Sequence, residues 1–200
     1  RDRLNPHHVL VAGGMSHWSF SKPEPSIARL RADATDQARI MADAGADLLV
    51  LEMMAEIEPM MALLDGALRT QLPVWVGLSC ELDQHSEVIL IGGERLVDAI
   101  AALEDRDVPL LNIMHTDVTI VSRCLDVLDR CWQGEVGVYA HSGTVKDGDW
   151  IFNDIISHED YARYVSEWLA RDVRLIGGCC GIGPDHITHL AGGEPFKPSS

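Results

Sequence analysis

Basic residues are scarce in this chain: 16 Lys and Arg stand against 31 Asp and Glu, a formal net charge of −15 over 200 residues. A surface of that sign repels phosphate backbones, and no basic stripe interleaved with aromatics relieves it, so nucleic acid is not an expected partner. Long apolar runs are missing too. None reaches the 18 residues that argue for a membrane-crossing helix, so no membrane partner is expected. The first residues, RDRLNPHHVLVAGG, lack the apolar core and small-residue cleavage pattern of a secretory leader, and no initiating Met precedes them. Truncation of the gene or processing would account for that. Nor is there a disulfide framework. Five cysteines (Cys80, Cys124, Cys131, Cys179 and Cys180), an odd number spread through the chain, point to a reducing, cytoplasmic setting. With no composition shift or low-complexity tract, a single domain over 1–192 is expected, followed by a flexible tail over 193–200.

What the chain does have is alternation. Short apolar runs read as strands: His8 to Ala12 (HVLVA), Asp47 to Glu52 (DLLVLE), Pro73 to Ser79 (PVWVGLS), Val108 to Met114 (VPLLNIM), Glu135 to Ala140 (EVGVYA) and Val173 to Ile176 (VRLI). Between them, amphipathic spacing predicts helices over 26–44, 56–70, 93–104, 118–132 and 158–171, with Gly45 stopping the first and Pro184 opening a last short one. Strand–helix alternation with nearly continuous apolar strands argues for an all-parallel sheet. An open doubly wound sheet and a (β/α)₈ barrel both fit. The first βα turn carries no Gly-rich nucleotide fingerprint. Polar residues instead fall at many strand ends (Glu52, Ser79, His115, His141 and Cys179), which is where a barrel places its site. Six units are counted where a barrel has eight, so the expected fold is α/β, a TIM-type barrel lacking about its first two βα units.

The strongest local signal is IGGCCGIGPDH, from Ile176 to His186. Neighbouring residues of a regular strand point to opposite faces, so Cys179 and Cys180 converge only if the backbone leaves strand geometry, which the flanking glycines permit. A disulfide between sequence neighbours is strained, so the pair suggests a shared soft metal, zinc above all. The helix opening at Pro184 points its positive end toward the loop and favours thiolate. The plain alternative is two small buried hydrophobes at a tight turn. A catalytic zinc usually takes three protein ligands. His115, His141 and Cys80, each near a strand end, are candidates for the third, with His115 first.

GGCCG-x-x-P-x-H-I resembles the C-terminal signature of the zinc-dependent homocysteine S-methyltransferase family. AGADLLVLEMM, PVWVGLSCELDQ, GVYAHSG and WLARDVRLIGGCCG are similar to successive segments of the same family, from its third strand onward. The resemblance implies a (β/α)₈ barrel and transfer of a methyl group to the thiol of homocysteine, giving methionine. It implies a small-molecule methyl donor carrying its methyl on a sulfonium, ammonium or folate. It also implies zinc held by Cys179 and Cys180, which activates the substrate sulfur, and Glu52 as the acid that holds the substrate's amino group. Tyr139 and Ser142 are expected to shape the substrate pocket. The sequence departs from the family at the strand-6 ligand, where Ile113 or Met114 stands in place of a Cys, and His115 or Cys80 would have to substitute. His141 stands where the family has Asn, Ala140 where it has Pro, and GGMSHW, from Gly13 to Trp18, replaces a Gly-Pro-Tyr segment. Two other readings compete: a non-catalytic metal- or thiol-binding relative without the strand-6 ligand, and a metal-dependent barrel hydrolase. Against the hydrolase, no strand carries an H-x-H pair.

Elsewhere plainer roles are expected. His186 and His189 lie three apart on one helix face, read as solvated. Cys124 and Cys131 lie seven apart and read as core packing. Met53, Met54, Met60 and Met61 read as core filler, and Glu104 to Asp107 as a solvated loop.

Overall fold

The computed structural model describes residues 9–17, 25–146, 149–152 and 154–192. The first part of the expected HVLVA strand, Trp18 and the expected tail lie outside these. Six parallel strands form one sheet: β1 (Ala12–Met15), β2 (Leu48–Met54), β3 (Val74–Leu78), β6 (Leu110–Asp117), β7 (Glu135–His141) and β10 (Leu175–Ile176). They neighbour one another in chain order, as consecutive strands of a barrel do, without the reversal of a doubly wound sheet. Helices α1 (Ile27–Asp43), α2 (Ile57–Ala67), α3 (Leu96–Leu103), α4 (Val121–Cys131), α5 (His158–Leu169) and α6 (Pro184–Gly192) follow the strands in turn. Two hairpins, β4 (Cys80–Leu82) with β5 (Val88–Leu90) and β8 (Thr144–Lys146) with β9 (Asp149–Ile151), extend from strand ends. Their runs of three residues are too short to show a period.

Two of the helices start where a serine side chain takes up a free backbone N–H group. Ser26 accepts from Arg29 N–H at 3.3 Å ahead of α1, and Ser157 accepts from Asp160 N–H at 3.1 Å ahead of α5. Gly45, at φ +90, lets the chain leave α1. On the sheet, Leu49, Leu51, Val74, Val76, Leu78, Leu111 and Ile113 are buried in the same core as Ala34, Leu63, Leu64 and Ala99 of the helices. The opposite face, carrying Glu52, Gly77, Asn112, Met114, Gly137 and Tyr139, is the barrel interior. Glycines make it habitable: a Cβ on Gly77 would lie 2.7 Å from the Tyr139 hydroxyl and 2.8 Å from Met114 Cγ.

The first strand sits further along than its apolar run suggests. Val9, Leu10 and Val11 are exposed, and Ala12–Met15 pairs with Leu48–Leu51 instead. Asp47 fixes this register, since its carboxylate accepts from Val11 N–H and its own N–H donates to Val11 C=O, both at 2.8 Å. No helix among the described residues is long and apolar enough to cross a membrane.

Candidate metal centre

Strand β10 is only two residues long, but its backbone continues alongside β7. Gly177 N–H donates to Val138, Cys179 N–H to Ala140, and Ser142 N–H to Cys180 C=O, each at 2.9 Å. Between them the chain turns tightly, with Ile182 N–H on Cys179 C=O at 3.0 Å and Gly181 at φ +78. The Tyr161 hydroxyl, from α5, donates to Gly177 C=O at 2.5 Å and anchors the turn from below. The result is the convergence expected of the glycine-framed pair: the two sulfurs are 3.9 Å apart.

Across the rim, β6 loses its register between Met114 and Asp117, and His115 takes φ +44. This left-handed bulge swings its ring toward the cysteines. His115 Nδ1 lies 3.4 Å from Cys179 Sγ and 3.7 Å from Cys180 Sγ. Among the described residues, these three form the one group of His, Cys, Asp or Glu whose donor atoms all lie within 4.8 Å of one another. A hydrolase-type cluster of several histidines is not found there.

The other two third-ligand candidates fall elsewhere. Cys80 is buried and pairs with Cys124 of α4, which together with burial pushes its thiol well up, while its N–H donates to Thr116. It belongs to the core, because residues 76, 78 and 80 share the helix-facing side of β3 and its continuation. His141 stands behind His115, with ring centroids 4.9 Å apart and planes tilted by 55°.

Burial, then the neighbouring His141, pulls His115 down to about 4, so its ring is uncharged near neutral pH. Burial, with Cys180 and Glu52 nearby, pushes the Cys179 thiol up to about 11. A cation would therefore meet a neutral imidazole and a Cys179 thiol that gives up its proton on binding.

Glu52 closes the interior side. It precedes a second left-handed bulge at Met53, φ +58, and is half-buried, which raises its carboxyl. Gly14 makes room for it, since a Cβ there would lie 2.9 Å from Glu52 Oε2. Among the described residues no Arg or Lys pairs with it. The Tyr139 hydroxyl is buried with no hydrogen-bond partner among the described residues, and burial together with Glu52 and Cys179 pushes it up. Ser142 is buried, and its hydroxyl accepts from Ile156 N–H at 2.8 Å, which ties the 154–156 loop to the end of β7.

His186 is not on a solvated face. It is 3% exposed, takes Gly183 N–H on Nδ1 at 3.2 Å, and its Nε2 donates to Ile156 C=O at 2.9 Å. Two backbone groups of irregular segments need partners there, and the ring supplies both. His189 is exposed as expected, while Cys131 is exposed and Cys124 alone packs inward. Met54 and Met60 fill the core, but Met53 lies at the rim. Gly14, Gly77 and Tyr161 were not singled out from sequence. Only paired glycine at a strand end hinted at the first.

A family model described as homocysteine S-methyltransferase matches residues 1–192. The chain is 25% identical over 194 residues to homocysteine S-methyltransferase 2 of Arabidopsis thaliana, covering 94% of this chain and 57% of that protein. It superposes on the apo form of the homocysteine methyltransferase MmuM from Escherichia coli with a TM-score of 0.70 and 26% identity, over 91% of this chain and 61% of that one. On the metallated form of the same protein the TM-score is 0.72 at 24% identity, over 91% and 60%, a likeness of fold. The chain spans about half the length of the curated relatives it matches.

Proposed function

This chain is a member of the homocysteine S-methyltransferase family, and on that premise we propose that it activates the thiol of homocysteine for transfer of a methyl group from a second small molecule, giving methionine. The observation that carries the reading is the convergence of Cys179 Sγ, Cys180 Sγ and His115 Nδ1. A tetrahedral zinc, with Zn–S about 2.3 Å and Zn–N about 2.0–2.1 Å, sets its sulfurs about 3.8 Å apart and sulfur and nitrogen about 3.6 Å apart. The three separations here are 3.9, 3.4 and 3.7 Å. The donor set fits, and we assign Cys179, Cys180 and His115 as the ligands, the histidine taking the family cysteine's part. When bound there, zinc supplies the positive charge that keeps a substrate thiol ionised near neutral pH.

The chain's own residues bind and orient. Glu52 faces the interior without a cation among the described residues, so the substrate's ammonium group would satisfy it by a charge-assisted hydrogen bond. The Tyr139 hydroxyl, without a partner among the described residues, offers a donor on the same side. Ser142 shapes the pocket from behind by holding the loop. The substrate sulfur forms a bond to the methyl carbon as the donor's carbon–heteroatom bond breaks, and the donor leaves with that electron pair. Holding the two reactants in line is the main contribution of such a rim.

Zinc content and X-ray absorption of the purified protein test this. The expected result is one zinc per chain, lost in Cys179→Ser, with one further sulfur scatterer when homocysteine is added. Folded protein that takes up no zinc overturns the assignment and leaves a non-catalytic relative. Zinc that survives both Cys179→Ser and Cys180→Ser would move the site elsewhere.

A further inference from the structure

His115 reaches the cysteines only because β6 breaks its alternation, and the structure shows what holds the break. Asn112 and Met114 face the barrel interior, and Leu111 and Ile113 face the helices. An extended residue 115 would follow 111 and 113 to the helix side. A non-glycine residue stays at φ +44 only where its surroundings over-determine it. Here Met114 Sδ receives two donors, Met53 N–H at 3.2 Å and the Ser79 hydroxyl at 3.1 Å. Met53 lies in the bulge of β2, and Ser79, fully buried, follows β3 between the two strands. Three neighbouring strand ends therefore close on one thioether, in space that Gly77 leaves free. From the other side, the His141 ring hydrogen-bonds the His115 backbone.

We propose that Met114 is a positioning residue of the metal centre: its thioether, gripped by Met53 N–H and the Ser79 hydroxyl, fixes the left-handed turn that presents His115 to Cys179 and Cys180. The proposal rests on the reading of His115 as a ligand. It accounts for an otherwise inert side chain standing next to the family's ligand position.

Met114→Leu keeps the volume and removes the acceptor. Two measurements decide: the crystal structure of the metal-free variant, and zinc affinity by chelator competition with the visible spectrum of the cobalt-substituted protein. The expected results are His115 returned to extended backbone with its ring withdrawn from both sulfurs, zinc affinity lowered about 10–100-fold, and an altered cobalt spectrum. Ser79→Ala shifts the same readings in the same direction by a smaller factor, and it decides the matter if Met114→Leu does not fold. A role in packing alone would lower the melting temperature and leave the cobalt spectrum unchanged. Unmoved His115 geometry with wild-type zinc affinity overturns the proposal. If the wild-type protein takes up no zinc, the ligand reading falls, and the position of His115 in the metal-free variant still decides whether Met114 holds it.

Discussion

Replacing Gly181 by alanine should unfold the cysteine loop at a cost set by two separable terms. Gly181 stands at φ +78, and a left-handed non-glycine residue costs about 1–2 kcal/mol. A Cβ there would also press on the Ser142 carbonyl group, 2.9 Å from its carbon, and reach 3.2 Å from Ile155 Cγ2. Moving that carbonyl disturbs the 2.9 Å bond from Ser142 N–H to Cys180, whose loss costs roughly 1–3 kcal/mol where the donor is left buried. Together the terms come to about 3 kcal/mol. Gly93 provides the internal control. It stands at φ +96, and an added methyl there would meet nothing within 4 Å, so Gly93→Ala bears the first cost alone. Urea unfolding separates the two. With a slope of about 1–3 kcal/mol per molar, Gly181→Ala should lower the midpoint by roughly 1–3 M, and Gly93→Ala by about half as much. Zinc uptake at low urea should fail in the first variant and persist in the second. Equal midpoints and equal zinc uptake in the two would refute the claim that the loop's closure on Ser142 builds the site.

Three further perturbations address other parts of the structure. Tyr161→Phe removes the hydroxyl that holds Gly177 C=O at 2.5 Å and should cost about 1–3 kcal/mol by calorimetry; an unchanged melting temperature would show the anchor to be idle. Cys80→Ala should leave zinc stoichiometry intact, since that thiol faces Cys124, and a loss of bound metal would restore it as a ligand. Asp65, held between Arg106 and Arg31, has its carboxyl lowered by them. Its contribution is therefore present above the unfolded carboxyl value of about 3.9 and is lost as pH falls through the lower folded value. Asp65→Asn should remove about 1 kcal/mol or less at neutral pH and flatten the acid limb of the stability curve; parallel acid limbs would contradict the pairing.

Much of the fold was legible because parallel strands and their covering helices carry different periods. Five of the six sheet strands fall within a few residues of the apolar runs that announce them. The first does not. HVLVA has the stronger strand composition, yet Ala12–Met15 takes the place because pairing with Leu48–Leu51 is fixed by Asp47 and because Gly13 and Gly14 admit neighbouring side chains. A Cβ on Gly13 would meet Met41 Sδ at 2.7 Å, so only glycine lets α1 approach the sheet there. Apolar content marks what can be buried; register is decided by contacts between segments about 35 residues apart, which no local window contains.

The site divides along the same line. The cysteine turn was legible because glycine spacing is a backbone signal, readable where it stands. The place of Glu52 was legible because it lies near a strand end, and the rim is where strand ends gather. Pattern ranks His115 first as the third donor but does not separate it from Cys80 and His141, since all three stand at strand ends and all carry suitable donors. Alternation correctly sends Cys80 to the helix side with residues 76 and 78, but the same rule sends His115 there too. What separates them is a bulge at a position without glycine, held by a sulfur, a hydroxyl and an N–H from three strands. Such a bulge is a tertiary product: each of its causes is ordinary alone, and the left-handed turn exists only where all of them meet. A histidine can therefore stand beside two cysteines at coordination distances in a chain whose local pattern points it away from them.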